Sequence, residues 1–177
     1  MSIALVGITI VVLLIILNRN HNAVQGDIGE KLVANELTLL PDEYRVKNSI
    51  DNIINVNGYQ IDHVVVNDKY KVIYVIETKN WHGSVKGTIN SEKWIINDKI
   101  ECGNPIIQNE LHCKAVRNKY KNYDIVTIIL FTQYDVKIQC KSKMILRLDE
   151  LINYIENDIK SRENRVYNYC GSKTSLN

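Results

Sequence analysis

An α/β domain carried behind an apolar N-terminal helix is the architecture that the sequence predicts, and three observations predict it. Ile3 to Leu17 holds no charged residue. From Gly26 onward, short runs rich in Ile, Val and Tyr, of strand length, are interspersed with longer stretches of helical periodicity. Polar turn material such as Asn67-Asp68-Lys69 separates them.

The apolar stretch comes first in the chain. Met1 to Leu17 would rise about 25 Å as a helix, at the short limit of the hydrocarbon layer. It has no basic n-region and no A-x-A cleavage site, so the sequence predicts an uncleaved transmembrane anchor over residues 1–20 rather than a signal peptide. The lipid bilayer is then the partner of residues 3–17. Arg19 and Lys31 follow the apolar run, which places the protein in the cell membrane as a single-pass chain with its domain in the cytoplasm.

A helix is expected to open at Gly26-Asp27-Ile28-Gly29-Glu30 and to run to about Leu40, before Pro41. Asp27 serves as N-cap and Glu30 completes a capping box. Tyr59–Val66 and Tyr70–Thr78 predict a β-hairpin, and Lys93–Glu101, centred on Asn97-Asp98, a second one. Pro105–Tyr120 reads as a helix, Ile125–Phe131 as a buried strand, Met144–Leu148 as a short strand and Asp149–Lys160 as a final helix. Residues 161–177 are polar, with the composition of a flexible tail.

The 177 residues, less the terminal segment, suffice for one domain, over residues 21–160. Lys and Arg number 22 against 20 Asp and Glu, a net charge of +2. That lacks the strongly basic footprint of many nucleic-acid binders, and neither demands nor excludes DNA. Local basic density exists at Lys114, Arg117, Lys119 and Lys121, and again at Lys137, Lys141, Lys143 and Arg147. These residues either contact phosphates or form solvated faces. Cys102, Cys113, Cys140 and Cys170 form no C-x-x-C pair, which predicts reduced thiols and no structural zinc.

The chemistry is concentrated in the first hairpin. With a two-residue loop at Asp68-Lys69, Asp62 faces Val75 and lies diagonal to Glu77 on one sheet face, about 7 to 8 Å away at the backbone. Lys79 is two residues from Glu77 and shares that face. Two carboxylates and the Thr78 carbonyl suit a hard divalent ion such as Mg²⁺ or Mn²⁺, and Lys79 would orient or deprotonate an attacking water. An isolated Glu-x-Lys is usually an ordinary ion pair on an exposed strand. Context supplies more: Glu30 falls on the arc of Val33, Ala34, Leu37 and Leu40, so it either reaches the same site or only caps its helix. Trp81 and Trp94 either stack on bases or belong to the core. His63, His82 and His112 show no metal-ligand spacing.

Gly26-x-x-Gly29-Glu30, Gln60-Ile61-Asp62-His63, Glu77-Thr78-Lys79-Asn80 and Asn104-Pro105-x-x-Gln108, in that order, resemble the NERD (nuclease-related) domain, a branch of the PD-(D/E)xK nuclease superfamily. The resemblance covers roughly Gln25 to Tyr134. It implies a restriction-endonuclease-like mixed central sheet, with the Gly26 helix on one side and the Pro105 helix on the other. It also implies Glu30, Asp62, Glu77 and Lys79 as active-site residues, and it favours DNA as substrate. Gln108 then touches substrate or metal-bound water, or is a buried Gln that satisfies backbone groups. Some NERD proteins carry helicase or kinase modules for which this chain has no room, so a helicase or other DNA-processing protein is an expected partner. The expected activity is metal-dependent phosphodiester hydrolysis. The rival expectation is a non-catalytic platform for nucleic acid or protein on the same fold, since fold does not guarantee function.

Overall fold

The computed structural model describes residues 3–50 and 60–174. Met1, Ser2, the expected strand start at Tyr59 and the last three residues of the expected tail lie outside that description. Helix α1 spans Ile3–Leu37, so the apolar stretch and the Gly26 helix form one continuous rod. The expected start at Asp27 is therefore corrected: Asp27 is inside the helix and pairs with Lys31 at 2.6 Å. Upstream carbonyls already accept the N–H groups that a cap would have satisfied.

No helix among the described residues is long and apolar enough to cross a membrane, which corrects the expected transmembrane anchor. The uncharged run from Ile3 to Leu17 rises only about 22 Å, against a hydrocarbon layer of about 30 Å. The same helix then continues through Asn18-Arg19-Asn20-His21.

Among the described residues, nine strands form two mixed sheets. The first has the order β1-β2-β3-β7-β9, built from β1 Tyr44–Ile50, β2 Ile61–Asn67, β3 Val72–Lys79, β7 Asp124–Phe131 and β9 Ile145–Arg147. β1, β2 and β3 run antiparallel, while β3, β7 and β9 are parallel. The second sheet, β6-β5-β4-β8, holds β4 Ser84–Lys86, β5 Lys93–Ile96, β6 Ile100–Gly103 and β8 Lys137–Ile138. The resemblance had implied one central sheet. The short β4 and β8 and the polar β1 carry too little apolar alternation to be read in advance. The hairpin β5–β6 is where the sequence placed it, and Asn97 and Asp98 both take positive φ at its turn.

Helices cover both faces of the first sheet. α1, through Val33 and Leu37, and α3, through Leu151, Ile155 and Ile159, pack on Val65, Tyr74, Ile76, Ile128 and Leu130. Helix α2, Pro105–Lys119, packs Cys113 and Val116 on Val64, Val66, Ile73 and Val75. Asn104 caps α2 by accepting the Ile106 N–H at 2.9 Å, with Pro105 at the first helical position. α3 follows a 3-10 turn over Leu148–Glu150 and runs Leu151–Thr174, past the expected end at Lys160 and into the segment expected to be flexible. Arg162 anchors that extension, donating to Asp158 at 2.7 Å and to Asp124 at 2.8 Å. Trp94 is fully buried and donates its indole N–H to Thr88 O at 3.0 Å, so it is core and not a stacking platform. Cys102, Cys113 and Cys140 are free thiols.

Candidate active site

The site lies where the β2–β3 ladder stops. The last paired residues are His63 and Ile76, and at the other end Asn67 pairs with Val72. The loop therefore has four residues, Asp68 to Lys71, rather than two. Asn67 Oδ1 accepts the Tyr70 N–H at 3.1 Å, and Lys71 takes a positive φ of 51°. Relative to expectation the register slips by two. Because side chains alternate with period two, an even slip keeps every residue on its face. Continued by one step, the observed register sets Asp62 opposite Glu77 rather than diagonal to it, closer than the sequence suggested.

Beyond the ladder's end, the Thr78 N–H has no strand partner on β2. The Asp62 carboxylate takes that place, accepting the N–H at 2.7 Å. The N–H and C=O of a strand residue leave on the same side, so the Thr78 carbonyl faces the same gap. Glu77 is 2% exposed, and its Oε1 accepts from Lys79 Nζ at 2.6 Å. Lys79 Nζ also donates to Gln108 Oε1 at 3.3 Å and sits 5.6 Å from the Trp81 ring centroid. Trp81, half-buried, meets Phe131 edge to face.

Two carboxylates so close and so buried cannot both ionise cheaply. Burial, and next the Glu77 charge, push the Asp62 carboxyl up to about 7. Burial would raise Glu77 as well, but His112 and Lys79 outweigh it and hold Glu77 below its ordinary range.

Glu30 belongs to α1, on the other face of the sheet from α2. It is half-exposed, and its charge reaches Asp62 strongly enough to add to the rise there. Gly29 allows α1 to come this close. A Cβ at Gly29 would stand 2.8 Å from Asn80 Cβ. Asn80 locks the junction, donating to Gln25 O at 2.7 Å and accepting from Thr132 Oγ1 at 2.7 Å. The structure thus gathers Asp62, Glu77, Thr78, Lys79 and Gln108, with Glu30 at the edge. Gln108 is exposed, not the buried amide that was the alternative.

His112 shows no ligand spacing in the sequence. It is 2% exposed, with Nδ1 3.4 Å from Glu77 Oε2. Its position four residues after Gln108, on the same helix face, was the available signal.

Among the described residues, no group of three or more His, Cys, Asp or Glu is placed to hold a metal. The donors do fit a hard cation: Mg²⁺ commonly takes one or two carboxylates and completes its shell with waters. Glu77 Oε2 is moreover buried and makes no hydrogen bond of ordinary geometry, with His112 Nδ1 standing 3.4 Å away.

A 97-residue stretch is 34% identical to an uncharacterized protein of Bacillus anthracis, over 52% of this chain and 45% of that protein. The chain thus spans less than half the length of this relative. The model of the nuclease-related domain matches residues 25–132, more than half of the chain. The chain belongs to the nuclease-related (NERD) domain family, whose expected class is the PD-(D/E)xK superfamily.

Proposed function

We propose that this NERD protein is a metal-dependent nuclease that hydrolyses phosphodiester bonds, of DNA in the first instance. One observation carries the reading: Asp62 and Glu77 are forced together beside Lys79, with the Asp62 carboxyl pushed up to about 7. A perturbed pair of acids with an adjoining cation is a functional-site signature, since a folded core otherwise avoids such crowding.

In this reading Asp62, Glu77 and the Thr78 carbonyl hold Mg²⁺ or Mn²⁺, and Glu30 is an auxiliary acid. When bound, the ion supplies charge neutralisation at the phosphate and lowers the pKa of a coordinated water. Lys79 aims its ammonium at the attacking water and at the phosphate oxygens. Gln108 holds Lys79 from the substrate side. Lys114 and Arg117 of α2, both exposed, would then contact the phosphate backbone.

Attachment to a cell membrane, with the domain on the cytoplasmic side, belongs to the same proposal. Ile8, Val11, Leu14 and Leu17 are each about half exposed or more, and a helix apolar all round is at home in lipid. The helix would enter the bilayer without crossing it.

The test is degradation of labelled single- and double-stranded DNA and RNA with Mg²⁺ or Mn²⁺, beside Asp62→Ala and an EDTA control. Cleavage lost in both controls is the expected result. Cleavage that survives Asp62→Ala would sink the assignment.

A further inference from the structure

His112 lies in the core between α2 and β3, and nothing about packing calls for an imidazole there. It is 2% exposed and faces a carboxylate that is equally buried, Nδ1 to Glu77 Oε2 at 3.4 Å. A buried ionised carboxylate without compensation is strongly destabilising. Glu77 has two oxygens to satisfy, and Lys79 takes only Oε1. His112 approaches the other.

Helix geometry explains the pairing. Residues 108 and 112 are one turn apart and stack on one face of α2. Gln108 meets Lys79 Nζ at 3.3 Å, and His112 meets Glu77. One helix face thus grips both members of the Glu-x-Lys pair. The helix itself is fixed below them: Asn109 Nδ2 donates to Val75 O at 2.9 Å and to Ile128 O at 3.0 Å, across β3 and β7.

We infer that His112 is a positioning residue, whose imidazole fixes the orientation of the Glu77 carboxylate toward Asp62. The inference rests on the nuclease reading for its purpose, but not for its geometry. His112 is buried behind Glu77, so its loss is expected to act through that carboxylate.

Two substitutions of similar shape separate the roles. His112→Asn retains an N–H donor near the Nδ1 position, whereas His112→Leu removes it. The experiment uses the full chain and reads three quantities. In metal-free ¹⁵N-labelled protein, the expected His112 Nδ1–H resonance is shifted downfield by the carboxylate, and it disappears in Glu77→Ala. Calorimetric titration with Mn²⁺ is expected to show an affinity loss of about tenfold to a hundredfold for His112→Leu, the range found when partners of metal ligands are removed, and recovery to within about threefold for His112→Asn. Cleavage is expected to lose kcat in His112→Leu with KM unchanged.

A missing resonance, or equal losses in the Leu and Asn variants, overturns the inference. Wild-type protein that binds no Mn²⁺ defeats the nuclease reading instead, and the resonance alone then decides whether His112 holds Glu77.

Discussion

The two faces of the β2–β3 hairpin treat buried polar groups in opposite ways. Toward α1 and α3, Tyr74 gives its hydroxyl to Asp158 at 2.8 Å, and Arg162 completes the network on Asp158 and Asp124. His63 is wholly buried and shares a hydrogen bond of 2.9 Å with Asn48. Toward α2, Asp62 and Glu77 are crowded into mutual repulsion with one nearby ammonium. The first face uses its charged groups for stability, Arg162 pairing with both Asp158 and Asp124. The second keeps an electrostatic debt that a bound cation would relieve. Sequence neighbours thus take opposite duties, because side chains of one strand alternate between the faces.

The largest expected effect lies on the α2 face. Asp62→Ala and Lys79→Ala should each reduce cleavage by about 10³-fold or more, equivalent to about 4 kcal/mol. The Asp62→Ala midpoint should stay level or rise, since it relieves the crowding with Glu77, whereas Lys79→Ala should lower it by leaving the Glu77 carboxylate buried without its ammonium. Melting curves recorded with the cleavage assay check this; a large fall in midpoint for Asp62→Ala would place that residue with the structural face.

The opposite face should respond the other way round. Ile76 is fully buried against α1 and α3, so Ile76→Ala should cost about 2 to 5 kcal/mol through lost burial and a cavity. Denaturant titration measures that cost. The cleavage rate per folded molecule should change by no more than about threefold. A rate loss as large as that of Asp62→Ala would show that the two faces are not separable.

Proton linkage sharpens the contrast further. Burial pulls the His63 pKa from 6.5 down to about 4. Between those values the unfolded chain binds a proton that the folded protein refuses, so stability falls as pH drops from about 6.5 to 4, by about 3 kcal/mol at most. Asp62 has the reverse sign. Its folded pKa lies above 3.8, so between about 4 and 7 the folded protein holds the extra proton and loses stability as pH rises. In metal-free protein, Asp62→Asn should therefore stabilise by about 1 to 3 kcal/mol at pH 8 and have little effect at pH 4. Urea midpoints at the two pH values would expose an error of sign directly.

The same contrast explains what could be read in the sequence. Ile61–Asn67 and Val72–Lys79 declare themselves as strands by their apolar content, and Asn104-Pro105 marks the start of α2 by capping chemistry. The facing of Asp62, Glu77 and Lys79 was legible because it depends only on period two. Their closeness was not, since it turns on an Asx turn and a left-handed Lys71 that lengthen the loop to four residues. The Asp27 start failed because capping signals also occur inside longer helices. His112 carries no such mark, because its partner Glu77 lies on another element and not at ligand spacing in the same stretch of chain.

Gln108 offers the smallest test of the division. Its Oε1 accepts from Lys79 at 3.3 Å, a long contact on an exposed side chain. A neutral acceptor of this kind contributes about 0.5 to 1.5 kcal/mol. Gln108→Ala should therefore slow cleavage by only about twofold to tenfold, with stability unchanged. Gln108→Glu discriminates further. It would put a further acid beside Asp62 and Glu77 while strengthening the hold on Lys79, drawing the ammonium away from the substrate side. Metal affinity should then rise modestly while kcat falls, and calorimetry beside steady-state kinetics would separate the two. If both quantities match wild type in Gln108→Glu, the Lys79 contact has no part in the site, and the grip of α2 rests on His112 alone.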